Sequence, residues 1–223
     1  MQPYENQLIG AFLVCLGFHA AREGHSVPPA TNLFQQTPGD TCYGDLLVSC
    51  KTMTLIEFKR TINEVRLEPK KYVALPKHWK TPALIDSDRY HHLVYGDSTR
   101  PLKMAFTCYR SPFLSQHVAT ASRCASTLIG ALLDGRVGGD AISVDAYLKE
   151  LNAGRRRKPM GDGGYNGALC LIGKKEDGAL CVVVESSLEK LLEFGRLVGR
   201  HVAEEPRYAP EQEHGPFDPE HER

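Results

Sequence analysis

The hydrophobic and polar positions of the chain follow two periods, one typical of helices and one typical of strands. Apolar residues recur at helical spacing in four stretches, which predict helices at residues 4–22, 115–133, 143–151 and 187–202. Alternating and β-branched runs predict strands at 32–36, 42–50, 53–59, 89–96 and 102–110, and a hairpin over 168–185. Residues 61–82 carry a weaker signal, for which we expect a short helix and a loop. This order predicts an α/β fold with a central mixed β-sheet flanked by helices.

The hairpin predicted over 42–59 carries three charged residues in an otherwise apolar sequence, CYGDLLVSCKTMTLIEFKR. Because side chains alternate along a strand, Glu57 and Lys59 share a face, and a turn near positions 51–52 brings Asp45 close to cross-strand register with Glu57. Two carboxylates this close repel each other unless a cation lies between them, and hard oxygen ligands suit Mg²⁺. A lysine beside such an ion can stabilise developing negative charge or orient a water molecule. The pattern therefore indicates phosphodiester hydrolysis.

An Asp early in one strand and a Glu-x-Lys in the next, preceded by a helix with a Glu near its start, resembles the PD-(D/E)xK nuclease superfamily. The resemblance covers residues 5–60 and implies a restriction-endonuclease-like α-β-β-β-α-β core. It implies that Asp45, Glu57 and Lys59 are catalytic, that Asp45 and Glu57 bind the metal ion, and that Glu5 supports it as a further ligand. The chain departs from the family pattern at Gly44, where the motif has proline.

The activity implied by this resemblance is that of a Mg²⁺-dependent or Mn²⁺-dependent endonuclease that hydrolyses phosphodiester bonds in DNA. A restriction or mobile-element defence setting is typical of small nucleases of this kind, and it is inferred from the family alone. The rival hypothesis is a catalytically inactive scaffold, an interaction subunit of a nucleic-acid-processing complex that keeps the fold.

A basic loop, RRRK, precedes a glycine-rich stretch and is a candidate for contact with a phosphate backbone. Its four residues are Arg155, Arg156, Arg157 and Lys158. A solvated loop explains the same sequence equally well.

Three other polar residues are weaker candidates for the site. Asp40 is an alternative to Asp45 as the first metal ligand, but it falls in a predicted turn. His91 and His92 are adjacent in a predicted strand and therefore point to opposite faces, so at most one of them reaches the site. A core or surface position is the default expectation for both.

The composition places these motifs in one domain, residues 1–203, followed by an acidic tail, 204–223, that we expect to be disordered. The chain has 223 residues, 42% of them hydrophobic, and lacks the run of about 20 apolar residues that a membrane-spanning helix requires. Its seven cysteines are scattered, which favours reduced thiols and a cytoplasmic protein.

The formal net charge is zero, but the charges are unevenly distributed. The tail holds seven of the 27 acidic side chains and two of the 27 basic ones, which leaves residues 1–203 with five more bases than acids. A balance of this kind favours affinity for nucleic acid through a local basic patch, a partner protein or a homo-oligomer, and not through bulk charge.

Overall fold

A computed structural model of the protein describes residues 3–25, 30–33, 44–49, 52–72, 87–99, 102–114, 123–154, 169–174 and 180–185. The described helices are α1 (Glu5–Arg22), α2 (Ile62–Leu67), a 3₁₀ helix (Glu68–Lys71), α3 (Ser87–Tyr90), α4 (Ser111–Leu114), α5 (Ala125–Asp134) and α6 (Ala141–Ala153). The described strands are β1 (Ala30–Leu33), β2 (Leu46–Ser49), β3 (Met53–Lys59), β4 (His91–Thr99), β5 (Leu102–Cys108), β6 (Arg123–Cys124), β7 (Leu169–Lys174) and β8 (Leu180–Glu185).

Six of the described strands form one mixed sheet in the order β1-β2-β3-β4-β5-β6. β1, β2 and β3 pair antiparallel, β4 lies parallel to β3, and β5 and β6 continue antiparallel. The parallel step requires a crossover, and the chain between β3 and β4 contains α2, the 3₁₀ helix and α3. β7 and β8 pair with each other in a separate two-stranded sheet. The α/β class and the mixed central sheet are therefore as predicted.

One face of the sheet, which we call the α1 face, packs against α1 and α5. Leu8 and Phe12 of α1 and Leu128 of α5 are fully buried there against Ile56 and Phe58 of β3. The rings of Phe12 and Phe58 meet edge to face with their centroids 5.6 Å apart. The even-numbered side chains of β3 thus form the apolar core that the alternation predicts.

The opposite face, which we call the α6 face, packs against α6 and α2. Its core contains Leu55 of β3, Val65 of α2 and Tyr147 and Leu151 of α6, all buried. All seven residues of β3 are buried. The odd-numbered residues that follow Leu55 on this face are charged, so the fold places charged side chains beside an apolar core.

Most predicted elements in the described part of the chain are confirmed with small shifts of their ends. The helix over 115–133 is wrong in one part, because Arg123 and Cys124 form a strand that pairs with Phe106 and Ala105 of β5. The backbone of Cys124 is extended, with φ −64° and ψ 135°, and α5 begins only at Ala125. Pairing with the sheet outweighs the helical periodicity there.

Several predictions lie outside the described residues. They are the first part of the helix over 115–133, the helix over 187–202, the basic loop 155–158, Asp40 and the tail 204–223. Within the described ranges, none of the helices combines the length and the apolar character needed to cross a membrane.

Candidate functional site

Asp45 lies directly before β2, where the regular pairing of the hairpin ends. Leu46 pairs with Ile56, but the Asp45 amide also donates a hydrogen bond to the Ile56 carbonyl, at 3.1 Å, so the strand predicted over 42–50 begins only after Asp45. Glu57 and Lys59 share a face of β3 as predicted, and the Asp45 carboxylate lies close enough to Lys59 to contribute to its raised pKa. All three side chains are buried: Asp45 is 4% exposed, Glu57 3% and Lys59 9%.

The Asp45 carboxylate is held by the neighbouring strand. Its Oδ2 accepts a hydrogen bond from the Phe58 amide at 2.5 Å. A carboxylate that accepts from a backbone N–H has a fixed orientation, because the strand that carries the donor is rigid. β3 therefore positions Asp45, the residue before β2, as well as its own Glu57.

Glu57 carries the central carboxylate of the site. Its Oε1 accepts from the Lys59 ammonium at 2.6 Å and from the Lys71 ammonium at 2.8 Å. Its Oε2 is buried and has no hydrogen-bond partner among the described residues. Burial acts to raise the pKa of Glu57, but the two ammonium groups outweigh it and hold the pKa well below its ordinary value. Glu57 is therefore ionised at neutral pH, with one oxygen available to a further ligand.

Gly44 explains how this free oxygen fits beside the backbone. Its φ is +81°, a left-handed conformation that side chains rarely adopt. A Cβ at this position would lie 3.1 Å from Glu57 Oε2 and 3.4 Å from the Ile56 carbonyl oxygen. Proline, which the family motif carries here, is fixed near φ −65° and could not replace glycine in this conformation. The left-handed backbone at position 44 therefore explains why this chain has glycine where the motif has proline.

Lys59 is a buried ammonium group with several acceptors. Besides Glu57, its Nζ donates to the Phe58 carbonyl at 2.8 Å and lies 3.9 Å from Glu68 Oε2. Burial acts to lower the pKa of Lys59, but Glu57 and Glu68 outweigh it and raise the pKa above its ordinary value. Lys59 therefore stays protonated, so it can stabilise negative charge but cannot accept a proton.

Two residues of the 3₁₀ helix, Glu68 and Lys71, complete the charge cluster and were not identified from the sequence. Glu68 is 1% exposed, and its Oε1 accepts from the Tyr109 hydroxyl at 2.7 Å and from Lys71 at 3.0 Å. The Tyr109 and Tyr72 hydroxyls are hydrogen-bonded at 2.7 Å. Glu68 and Lys71 stand at i,i+3 spacing in the stretch EPKKY, which is the only local signal they leave.

We call Asp45, Glu57, Glu68, Lys59 and Lys71 the charge cluster. Within it, the Lys59 and Lys71 ammonium groups lie 2.6–3.9 Å from the carboxylates of Glu57 and Glu68. Charged side chains are rarely buried without partners, and these ion pairs supply partners for four of the five.

Glu5, the third expected metal ligand, lies at the first position of α1 near this cluster. Arg60, which follows Lys59, donates to the Pro3 carbonyl at 3.3 Å and thereby ties the start of α1 to the end of β3. The pKa of Glu5 is raised above its ordinary value, chiefly because burial disfavours the charged carboxylate. The Lys59 ammonium group opposes this shift, and the Glu57 carboxylate adds to it. Within the described ranges, however, no three His, Cys, Asp or Glu side chains are grouped closely enough to hold a metal ion.

The two histidines point to opposite faces, as expected, and both are core residues. His91 lies on the α6 face, where its ring stacks on Tyr109 with centroids 3.7 Å apart and its Nδ1 lies 2.6 Å from the Tyr147 hydroxyl. His92 packs against Phe106 on the α1 face, and burial lowers its pKa to about 4.

Comparison with protein-family models, with curated proteins and with solved structures finds no match to this chain.

Proposed function

We propose that the protein is a divalent-cation-dependent nuclease of PD-(D/E)xK type that hydrolyses phosphodiester bonds in DNA. The observation that carries the proposal is the proximity of Asp45, Glu57 and Lys59 at the end of β3, with Glu57 Oε2 buried and unpartnered among the described residues. The order α1, β1, β2, β3, α2, β4, with β4 parallel to β3, supports the restriction-endonuclease-like core.

The carboxylate oxygens of the cluster are hard donors of the kind that suit a small divalent cation. Asp45 and Glu57 would hold Mg²⁺ or Mn²⁺, with Glu5 as a further acid at the start of α1. Mg²⁺ in nucleotide-processing sites is commonly bound by only one or two carboxylates, with substrate phosphate oxygens and water as the other ligands. Two protein carboxylates therefore suffice, and a third ligand is not required of the protein.

The residues of the chain divide the chemistry between them. When bound, the cation supplies Lewis-acid polarisation of the phosphodiester and neutralises part of its charge. Lys59 supplies a fixed positive charge, held by the Phe58 carbonyl, toward the negative charge that develops on the phosphate in the transition state. Since its pKa is raised, it acts as an electrostatic group and not as a base. Asp45 keeps its orientation through the Phe58 amide.

A non-catalytic scaffold is the second candidate function, and one observation favours it. Glu57, Lys59, Glu68 and Lys71 already satisfy one another within 2.6–3.9 Å, as a structural ion cluster would. A structural cluster needs no cation, whereas a nuclease does. Cation binding and cleavage therefore separate the two hypotheses.

The test compares Mn²⁺ affinity with the rate of DNA cleavage in the same preparations of three variants. Glu57→Gln should lose Mn²⁺ binding and cleavage together. Lys59→Met should bind Mn²⁺ no more weakly than the wild type but cleave roughly 10²–10³-fold more slowly, because its charge acts only in the transition state. Lys70→Met removes an exposed lysine of the same 3₁₀ helix and should change neither. A wild type that binds no Mn²⁺ would favour the scaffold.

A further inference from the structure

A cavity of about 500 Å³ lies between α1, α5 and the adjacent strands β4 and β5. Its volume falls in the range of roughly 300–1,000 Å³ that is typical of small-molecule sites. No residue of the charge cluster lines the cavity, but Tyr95, which does, pairs with Lys59 across β4 and β3. The cavity is therefore a separate candidate site, next to the strand that carries Lys59.

Apolar residues form one part of the cavity wall. Ala105, Ala125 and Ile129 are buried, and Ile62 and Met104 are partly buried. A ligand that covers these side chains gains free energy, because it removes apolar surface from water. A bare inorganic ion would leave this part of the wall uncovered. The wall therefore favours an organic ligand with an apolar or aromatic group.

Three exposed charged residues also line the cavity: Lys103, Arg123 and Asp97. None of these side chains has a hydrogen bond or an ion pair with another residue in the part of the chain that the structure describes. Two cations against one carboxylate favour an anionic ligand. The Asp97 carboxylate can also accept hydrogen bonds from hydroxyl or amino groups of the same ligand.

The start of α5 adds to the positive potential of the cavity. This helix has 10 residues, and its first two, Ala125 and Ser126, both line the cavity. The first amides of a helix have no partners within the helix, and negative charge is stabilised there. Hydrogen bonding to Ser126 lowers the pKa of the Cys124 thiol at the same place, and the charge of Lys103 contributes to the shift. We therefore expect the anionic part of the ligand at this end.

We propose that this cavity binds a nucleotide. The phosphate would contact Lys103, Arg123 and the start of α5, the sugar hydroxyl and base amino groups would donate to Asp97, and the aromatic base would cover the apolar residues. A free mononucleotide and the terminal nucleotide of a DNA strand share this chemistry. The inference goes beyond the proposed function, because its residues lie outside the charge cluster and it requires no divalent cation.

Isothermal titration calorimetry in EDTA tests binding, with deoxyadenosine 5′-monophosphate as the titrant. The nucleotide should bind the wild type about tenfold more tightly than inorganic phosphate does, because phosphate offers only part of the recognised chemistry. Lys103→Met and Arg123→Met should each weaken nucleotide binding about tenfold. Lys70→Met, which removes an exposed lysine outside the cavity, should leave it unchanged. Equal affinities for nucleotide and phosphate, or no nucleotide binding, would overturn the inference.

Asp97→Ala separates recognition of the nucleotide from simple attraction of an anion. If Asp97 accepts hydrogen bonds from the nucleotide, this change should lower the ratio of nucleotide affinity to phosphate affinity about tenfold. Loss of the negative charge alone would strengthen the binding of both anions alike. An unchanged ratio would therefore contradict the inference.

A second measurement locates the ligand in the wild type and needs no variant. Alkylation by iodoacetamide, followed by mass spectrometry, reports the accessibility of each thiol, and Cys124 is an exposed thiol of the cavity. Saturating deoxyadenosine 5′-monophosphate in EDTA should slow the alkylation of Cys124 severalfold. Alkylation of Cys108, which does not line the cavity, should stay unchanged.

The same experiment with a 5′-phosphorylated oligonucleotide distinguishes the two sources of the nucleotide. Protection of Cys124 by the mononucleotide alone supports a free ligand, and protection by both supports the end of a DNA strand. A mononucleotide that binds without protecting Cys124 would overturn the inference. That result would leave the proposed nuclease function standing, because DNA cleavage is measured separately.

Discussion

Neutralising Glu57 should destabilise the protein strongly, and the structure sets the size of the effect. Glu57→Gln keeps the shape of the side chain but removes the charge that lies 2.6 Å from Lys59 and 2.8 Å from Lys71. The low pKa of Glu57 shows that the fold favours the ionised form despite its burial. Removing one partner of a buried ion pair costs about 3–5 kcal/mol, because it leaves the other charge uncompensated. We expect a loss of this size in the free energy of unfolding.

The assay is urea denaturation monitored by circular dichroism, applied to Glu57→Gln, to Lys59→Met and to the variant that carries both changes. Lys59→Met should also destabilise, and Glu57→Gln with Lys59→Met should lose about 1–3 kcal/mol less than the sum of the single losses. Asp145→Asn is the control, since it breaks a 2.7 Å ion pair with Lys149 on the surface of α6. Such exposed pairs contribute about 0.3–0.5 kcal/mol.

Two results would refute this account of the charge cluster. One is a cost below about 1 kcal/mol for Glu57→Gln, as for a surface pair. The other is additivity of the two single variants, which would mean that Glu57 and Lys59 do not interact. The large cost is expected because Glu57 contacts both lysines, and neither contact is recorded in the local sequence.

Two further predictions concern the surroundings of the cluster. Gly44→Ala should lower the free energy of unfolding by about 1–3 kcal/mol, because φ +81° strains any side chain and the new Cβ would lie 3.1 Å from Glu57 Oε2. Gly10→Ala, on the open surface of α1, should instead raise it by about 0.5–1 kcal/mol. Thermal melts of both variants test these two expectations. The pKa of His92 is lowered to about 4 from 6.5, so the unfolded chain takes up the proton first as pH falls, and stability should decrease by roughly 3 kcal/mol between pH 6.5 and 4. Denaturation curves across that range should show the loss in the wild type and in Val94→Ala but not in His92→Phe, and a His92→Phe protein with an unchanged pH dependence would contradict it.

The hairpin and the shared face of Glu57 and Lys59 could be predicted because both depend on local backbone geometry. Strand alternation places Glu57 and Lys59 on one face whatever the tertiary structure, and a short turn fixes the pairing of β2 with β3. The position of Asp45 does not follow from these rules, because the regular pairing ends at Leu46 and the Phe58 amide holds the carboxylate.

The burial of the site and its other members could not be predicted, because they depend on contacts distant in sequence. Glu68 receives its hydrogen bond from Tyr109, 41 residues away, and no periodicity in the chain records that contact. Arg123 and Cys124 continue an apolar helical pattern, yet they pair with β5. In both cases a tertiary partner decides the structure against a weak or opposing local signal.

DNA cleavage by the wild-type protein is the decisive test of the proposed nuclease activity. Purified protein is incubated with supercoiled plasmid and with single-stranded DNA in Mg²⁺, in Mn²⁺ and in EDTA, and the products are resolved on gels. We expect nicked, linear or shortened DNA with either cation, no cleavage with EDTA, and no cleavage by Glu57→Gln under any condition. Intact DNA in every lane, or cleavage that survives in EDTA or in Glu57→Gln, would contradict it.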